Sequence, residues 1–239
     1  TLFRSLYVGT MNNGLYMIDH NKKWLNYFPK KDITCIYEDS KKSIWVGTKD
    51  DGLFRLDRNG GITNYGTAPH QNMLSSSYVR CVVEDNLGNY WIGTFKGLDK
   101  LDVTTGTFTH YSKDNKPYSL SNSSIICMMK DRQGTFWIGT YYGGVNLFNP
   151  DYEIYTYYYP DESQKGKLTS PFAGRMTEDS NGGIWIATEG GGVNYLDKKT
   201  KTFTEYKHDA TKNSLASNTI QGLFLDEDNH ALWIGTLRG

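Results

Sequence analysis

An all-β fold built from repeated sheets is predicted by three features of this 239-residue sequence. A phrase of an aromatic, an aliphatic and a small residue followed by Thr recurs six times. Each full unit splits into four apolar segments of strand length, and turn residues rich in Gly, Asn and Asp separate these segments. Four antiparallel strands in each repeat of this length are typical of a β-propeller, in which every repeat forms one blade.

The recurring phrase sets the period of the repeat. Its copies are 38, 46, 46, 48 and 48 residues apart and start at Tyr7, Trp45, Trp91, Trp137, Trp185 and Trp233. Six copies that agree in order and spacing exclude chance. The third residue of the phrase is Gly in five copies and Ala187 in one. We therefore expect a small side chain to be required there because neighbouring sheets approach closely.

We name the four predicted strands of a unit a to d. Strand a ends in an Asp in every unit, at Asp39, Asp85, Asp131, Asp179 and Asp226. In three units a Gly follows three positions later, where the carboxylate can accept backbone N–H bonds in a turn. Strand b carries the recurring phrase. Gly-containing hairpins lead to strand c, and strand d has an apolar residue followed by Tyr three positions later.

Counting these strands predicts the blade boundaries. We expect a partial blade at 1–30, complete blades at 31–77, 78–123, 124–170 and 171–217, and a partial blade at 218–239. This gives one b strand more than a closed ring of five blades contains. Because an open row of blades would expose apolar sheet faces, we expect a single propeller region that is an excerpt of a larger ring. An overlapping closure is the alternative.

The charge balance argues against a partner that binds through net charge. Lys and Arg together number 26, as do Asp and Glu, so no net field attracts nucleic acid or an anionic membrane. No apolar stretch approaches the roughly 20 residues of a membrane helix, and the N-terminus lacks a signal pattern. We expect this region to contact neither nucleic acid nor membrane. The chain begins inside a repeat, so we expect any export signal or anchor outside it.

The repeats resemble those of the two-component regulator propeller family of bacterial hybrid histidine kinases. The resemblance rests on Glu-Asp-x-x-Gly-x-Leu/Ile-Trp-Ile-Gly-Thr-x-x-Gly-Gly-Val/Leu-x-x-Leu-Asp, then Phe-x-x-Tyr, then the Ser-Leu of 119–122 and 214–218. The sequence departs from it at Lys42, which replaces the turn glycine, and at the shorter hairpin 94–97. The resemblance implies seven-bladed rings, a periplasmic location in an inner-membrane protein, a histidine kinase elsewhere in the full-length chain and, in many members, oligosaccharide signals.

Function is expected where the repeats differ, because a residue needed in every blade stabilises the blade itself. The b–c hairpins and the d–a crossovers emerge on the same side of each antiparallel blade, and their sequences vary. The crossovers run over about 66–78, 112–124, 158–171 and 207–218. Long loops on a rigid scaffold commonly carry binding groups. We name this side the mouth face.

The predicted ligand-binding set on the mouth face has eight members: Asp50, Tyr78, Phe95, Lys96, Tyr141, Tyr142, Arg175 and Glu189. Its aromatic rings can stack on sugar rings, and its charged groups can bond hydroxyls. Arg175 takes the strand a position that is Cys in the three preceding blades. The alternatives are ordinary exposed hairpin tips, contacts to a second propeller and, for Arg175, a structural salt bridge to Glu178 or Glu189.

We expect no metal, no cofactor and no disulfide. Cys35, Cys81 and Cys127 are one period apart on separate inner strands, which favours buried, reduced thiols. No Cys-x-x-Cys or paired-His spacing indicates a metal site. The sequence has five histidines: His20, His70, His110, His208 and His230. None has a repeating Ser or carboxylate partner that would indicate a nucleophile and its base. We therefore expect this region not to be an enzyme; a propeller lyase or glycosidase is the less favoured alternative.

The predicted function is ligand sensing. We expect an extracytoplasmic propeller of a two-component regulator that binds a polar small molecule, above all an oligosaccharide, at its mouth face. The alternative is a non-binding scaffold or docking module that meets further blades, a second propeller or a second protomer in a homodimer.

Overall fold

The structure is a computed structural model that describes residues 5–19, 21–66, 73–114, 119–149, 154–161 and 167–237. His20, His70 and the middle of three predicted crossovers lie outside the described residues. Within them every regular element is a β-strand, and every strand pairing is antiparallel. The predicted all-β class is confirmed.

The chain divides into two compact units, 1–111 and 112–239. The first unit begins with a three-stranded sheet of β1 (Ser5–Thr10), β2 (Gly14–Asp19) and β3 (Trp24–Tyr27). A four-stranded sheet follows, of β4 (Ile33–Glu38), β5 (Ile44–Thr48), β6 (Leu53–Leu56) and β7 (Ile62–Tyr65). The next sheet holds β8 (Val79–Glu84), β9 (Tyr90–Thr94), β10 (Leu98–Leu101) and β11 (Phe108–Tyr111).

The second unit has the same organisation. One four-stranded sheet holds β12 (Ile125–Lys130), β13 (Phe136–Thr140), β14 (Gly144–Asn149) and β15 (Ile154–Tyr158). The next holds β16 (Ala173–Glu178), β17 (Ile184–Thr188), β18 (Val193–Asp197) and β19 (Thr202–Tyr206), and a two-stranded sheet of β20 (Ile220–Asp226) and β21 (Ala231–Thr236) follows. The strands of every sheet lie in chain order. They are therefore blades with the predicted strands a to d, and the partial sheets hold b, c, d and a, b.

The Asp that ends strand a holds the Trp of strand b in the same blade. The Asp131 carboxylate accepts hydrogen bonds from the Thr135 backbone N–H and the Trp137 indole N–H, both at 2.9 Å. Asp39 makes the equivalent bonds to Ser43 and Trp45, at 2.7 and 2.9 Å. The sequence predicted the backbone bonds, but the indole bond was missed. It explains why Asp and Trp recur together, six positions apart in the four complete blades.

Aromatic side chains pack between neighbouring blades and form the core of each unit. In the first unit Trp45, 1% exposed, stacks on Tyr65 of its own blade and contacts Tyr90 of the next, with ring centroids 5.5 and 4.1 Å away. In the second unit Trp137 stacks on Tyr158 at 6.2 Å. Because the apolar surface is buried between blades, each blade depends on its neighbour.

The small residue of the recurring phrase lies against the next blade. A Cβ added to Gly47 would come within 2.9 Å of a Val79 methyl group, and one added to Gly139 within 2.8 Å of the Ala173 carbonyl oxygen. This close approach is the reason for the small side chain that the sequence indicated.

The cysteines form no disulfide. Cys81 and Cys127 are buried as expected, whereas Cys35 is half-buried, so the expectation of full burial is wrong there. Burial raises the pKa of the Cys127 thiol to about 11, and that thiol donates a hydrogen bond to the Gly174 carbonyl.

Candidate ligand site at the mouth face

Backbone hydrogen bonds fix the hairpin tips of the mouth face. The first tip residue donates its N–H to the carbonyl just before strand a of its own blade, as in Phe95 to Tyr78 at 3.0 Å and Glu189 to Phe172 at 3.1 Å. The Gly that starts strand c donates to the next blade instead, as in Gly144 to Pro171 at 2.9 Å. The tips at 49–51, 141–143 and 189–191 are thereby attached to the start of strand a in two blades.

Polar side chains of strand c hold the crossovers in place. The Asn146 carbonyl accepts the Ser121 backbone N–H at 2.9 Å, and its amide donates to the Ser121 hydroxyl at 2.8 Å. Asn194 makes the same pair of bonds to Thr169, at 3.1 and 2.7 Å. In the first unit Asp99 takes this position and accepts two hydrogen bonds from Ser75. The ends of the crossovers are therefore part of the rigid scaffold.

In the second unit, three predicted residues line one cavity of about 260 Å3: Tyr141, Arg175 and Glu189. Tyr141 comes from the hairpin tip of one blade, and Glu189 and Arg175 come from the hairpin tip and strand a of the next. The remaining wall is formed by strand a residues of three successive blades and by the residue before β16; it comprises Ile126, Cys127, Phe172, Ala173, Gly174, Ile220 and Gln221. The cavity therefore spans three successive blades of this unit.

Phe172 joins the two predicted tyrosines in an aromatic cluster. Its ring centroid lies 5.1 Å from that of Tyr141 and 4.2 Å from that of Tyr142, and the two tyrosine rings are 4.6 Å apart. Tyr141 and Tyr142 are 43% and 56% exposed, so one side of the cluster faces solvent. Sequence reasoning missed Phe172, although its place directly before strand a, level with the hairpin tips, was the available signal.

Arg175 is exposed, and within the described residues it forms no ion pair. Glu178, one expected partner, lies 3.3 Å from Lys198 and accepts the Arg132 backbone N–H at 2.9 Å instead. The positive charge of Arg175 lies close enough to Cys127 to oppose the effect of burial on the pKa of that thiol. The guanidinium therefore lies near the cavity wall without a carboxylate partner.

In the first unit, Tyr78 and Phe95 form a second aromatic group. Their centroids are 6.2 Å apart, and their planes are inclined by 13°. The guanidinium of Arg80 lies 4.5 Å from the Tyr78 centroid and 5.2 Å from that of Phe95, which is cation–π geometry. Sequence reasoning missed Arg80, which follows the first residue of strand a. In this unit's described residues, the exposed side chains of Asp50 and Lys96 make no hydrogen bond or ion pair.

The structure thus assigns the predicted set to two groups, one in each unit. In the second unit Tyr141, Arg175 and Glu189 meet at the cavity, and Tyr142 joins them through ring contacts. In the first unit only Tyr78 and Phe95 are in ring contact with each other.

The residues that the structure describes include no group of three or more His, Cys, Asp or Glu side chains that could hold a metal ion. Across the same residues, no helix is long and apolar enough to cross a membrane.

The family model of the two-component regulator propeller matches four segments of the chain, 27–50, 73–96, 119–142 and 167–190. Each segment contains strands a and b of one complete blade and ends in the following hairpin. No curated protein sequence matches the chain.

Solved structures of low sequence identity share the fold. The extracellular domain of a putative one-component system from Bacteroides thetaiotaomicron has a TM-score of 0.78 and 20% identity, over 99% of this chain and 31% of that one. PorZ, a surface component of the type-IX secretion system of Porphyromonas gingivalis, has a TM-score of 0.75 and 19% identity, over 98% and 36%. A catalytically inactive virginiamycin B lyase from Staphylococcus aureus, solved with quinupristin, has a TM-score of 0.67 and 13% identity, over 98% and 88%.

The chain spans about a third of the length of the first two of these structures. Proteins of such different roles share the propeller, so the fold alone does not decide function. Each matched segment holds strands a and b of one complete blade, and on that ground the four complete blades of this propeller region contain two-component regulator propeller repeats.

Proposed function

We propose that this region is the ligand-sensing propeller of a two-component regulator and binds an oligosaccharide at its mouth face without catalysing a reaction. The observation that carries the proposal is the cavity of the second unit, where Tyr141, Arg175 and Glu189 converge beside Phe172. The repeat family supports the signalling role. The extracellular domain of similar fold supports an extracytoplasmic, periplasmic location.

The chemistry of the cavity suits a sugar. The rings of Tyr141, Tyr142 and Phe172 present flat apolar surface to the C–H face of a pyranose, and the Glu189 carboxylate can accept hydroxyl hydrogen bonds. A volume of about 260 Å3 lies just below the roughly 300–1,000 Å3 of typical ligand sites. The cavity therefore takes the end of an oligosaccharide, and the exposed tyrosines support the rest.

The scaffold around the cavity is suited to passing on a signal. The cavity wall consists of strand a residues from three successive blades, and the hairpin tips are attached to neighbouring blades by backbone hydrogen bonds. A ligand that contacts all three blades changes their relative free energies, and rigid sheets carry that change to their edges. Domains elsewhere in the full-length protein, including a histidine kinase, would receive it.

Calorimetry of the full extracytoplasmic region against a glycan panel tests the proposal. We expect saturable binding of one glycan class, lost on Tyr142→Ala and retained on Leu87→Ala. Leu87 is the matched control because it is 79% exposed and lies in an a–b turn, at the opposite end of the blade from the hairpin tips. Absence of binding across the panel would refute the sensing function.

The alternative is a docking module, and the exposed rings of Phe95, Tyr141 and Tyr142 favour it, because aromatic residues are enriched at protein interfaces. Analytical ultracentrifugation of the same variants separates the two functions. Loss of self-association on Tyr142→Ala, with no glycan binding by the wild type, would indicate docking. Turnover of a panel glycan, detected by mass spectrometry, would indicate a propeller lyase or glycosidase instead.

A further inference from the structure

We propose that the ligand of this cavity is an acidic saccharide, and that Arg175 selects it by binding a sugar carboxylate. The proposal rests on the proposed function and names the substrate class of the same site. It follows from three features of the second unit: an irregular strand, an arginine without an ion pair, and the aromatic cluster beside it.

The irregular strand is β16. In β12 a single residue is skipped between the pairs Ile125 to Thr140 and Cys127 to Gly139. β16 has the same one-residue shift as the other a strands, but its regular pairing resumes only at Met176, so Gly174 and Arg175 both lie opposite Ala187 without a regular partner. Bulges of this kind change the direction of a side chain and are frequent beside binding sites. At the strand a position where Cys81 and Cys127 are buried, this blade has an exposed Arg that lines the cavity.

The charges around Arg175 leave its guanidinium available. Glu178 is bound by Lys198 and by the Arg132 backbone N–H, and Glu189 lines the same cavity but is not within ion-pair distance of Arg175. The nearby wall is apolar, with Ala173 and Ile220 among its residues. A guanidinium beside such a wall gains more from an anionic partner than it would in open solvent, because the local dielectric constant is lower.

A carboxylate fits this geometry better than a phosphate. The planar fork of an arginine forms two parallel hydrogen bonds to a planar carboxylate. Glu189 repels a doubly charged phosphate more strongly than a singly charged carboxylate, since the Coulomb energy scales with the charge. The adjacent rings of Tyr141 and Phe172 accept the face of the sugar that carries the acid.

The first unit has a similar combination of groups at its own mouth face. Arg80, near the start of strand a, lies over the rings of Tyr78 and Phe95. Aromatic rings and an arginine thus occur together in both units, which supports an acidic sugar chain as the ligand class.

Matched ligands test the proposal directly. Trimers of galacturonate, glucuronate and mannuronate are compared with their methyl esters, which keep the sugar rings and lose the charge. We expect the wild type to bind one acid at least about tenfold more tightly than its ester, which corresponds to about 1.4 kcal/mol. The preference should decrease at about 0.5 M salt, where screening shortens the range of charge interactions.

The variants Arg175→Gln, Arg175→Lys and Lys199→Gln identify the residue. We expect Arg175→Gln to remove the preference for the acid while ester binding and melting temperature stay unchanged. Arg175→Lys should keep a part of the preference. Lys199→Gln, a charge removal at an exposed c–d turn, should keep all of it.

The outcomes separate this inference from the proposed function. Equal affinity for acid and ester, or a preference that survives Arg175→Gln, overturns the acidic-ligand inference and leaves glycan sensing intact. Binding of neutral glycans alone does the same. Absence of binding to every acid, ester and neutral glycan overturns both.

Discussion

Truncation of Trp137 should destabilise the second unit far more than truncation of Trp233, although both occupy the same position of the repeat. Trp137 is 2% exposed, stacks on Tyr158 and donates its indole N–H to Asp131. Trp233 is 64% exposed. Trp233→Ala is therefore a matched control with the same chemistry and little burial.

The magnitudes follow from the buried area. A buried Trp removes about 200 Å2 from water, worth up to about 5 kcal/mol at 25 cal/mol per Å2, and measured truncations cost about 3–5 kcal/mol. Asp131 also loses one donor, but it keeps Lys198 at 2.8 Å and the Thr135 N–H at 2.9 Å. We expect Trp137→Ala to lower the free energy of unfolding by about 4 kcal/mol. For Trp233→Ala, which buries about a third as much, we expect about 1.5 kcal/mol.

Urea unfolding, followed by circular dichroism, measures both values from the midpoints and slopes. The slope must stay unchanged for the midpoints to report stability alone. A cost below about 1 kcal/mol for Trp137→Ala would refute the interpretation that this residue lies in the core between blades. Equal losses of unfolding free energy for the two variants would show that the recurring Trp stabilises its own blade and does not stabilise the protein by packing on the next blade.

Three further predictions concern the site and the titratable groups. Tyr141→Ala should shift the melting temperature by no more than a degree or two, because surface changes usually cost under about 0.5 kcal/mol, and should weaken glycan binding in calorimetry. Burial alone would raise the pKa values of Asp39 and Asp131, but their hydrogen bonds outweigh it and lower both. These two carboxylates therefore stabilise the folded protein fully at pH values above their unfolded pKa of about 3.9. That stability is lost as the pH falls through their lower pKa values in the folded protein, and urea midpoints measured between about pH 5 and 2 will show the loss. A thiol reagent should modify half-buried Cys35 faster than buried Cys81 and Cys127 in the native protein, and all three equally in denaturant; equal native rates would contradict the burial described above.

The sequence was informative about strands because the repeat aligns six copies of strand b and five copies of each other strand. The Asp and Trp positions, the turns and the small residue of the phrase could be assigned to strands from spacing alone. The hydrogen bond from Trp137 to Asp131 was not visible in that alignment, because two side chains six positions apart meet only when the a–b turn brings them together. Which residues recur was therefore predictable, but which of their atoms bond was not.

The candidate site was harder to predict because it forms between blades. Tyr141, Arg175 and Glu189 were chosen as variable residues of the mouth face, and they line one cavity. Phe172 was missed because its distance from the hairpin tip of the preceding blade depends on the crossover, and Arg80 was missed because its contact with Phe95 depends on side-chain direction across β8 and β9. The alternative for Arg175, an ion pair to Glu178 or Glu189, does not form among the described residues; Lys198 and the Arg132 backbone N–H bind Glu178 instead, and these contacts connect residues far apart in sequence.

The hairpin tips are held by main-chain hydrogen bonds and by hydroxyl groups outside the tip, such as that of Ser121, which donates to the Gly143 carbonyl at 2.8 Å, and this has a consequence for engineering the site. Because the N–H of Tyr141 binds the Ser124 carbonyl and that of Gly144 binds the Pro171 carbonyl, the position of the tip does not depend on the side chains at 141 and 142. The residue at 141 can be exchanged without rebuilding the loop if the hairpin keeps its length and its glycine, whereas position 142, with a φ of 64°, tolerates Gly, Asn or Asp better than β-branched residues. Each blade therefore presents its own hairpin tip on a conserved backbone. A library that varies only the tip residues would test new ligands without changing the scaffold.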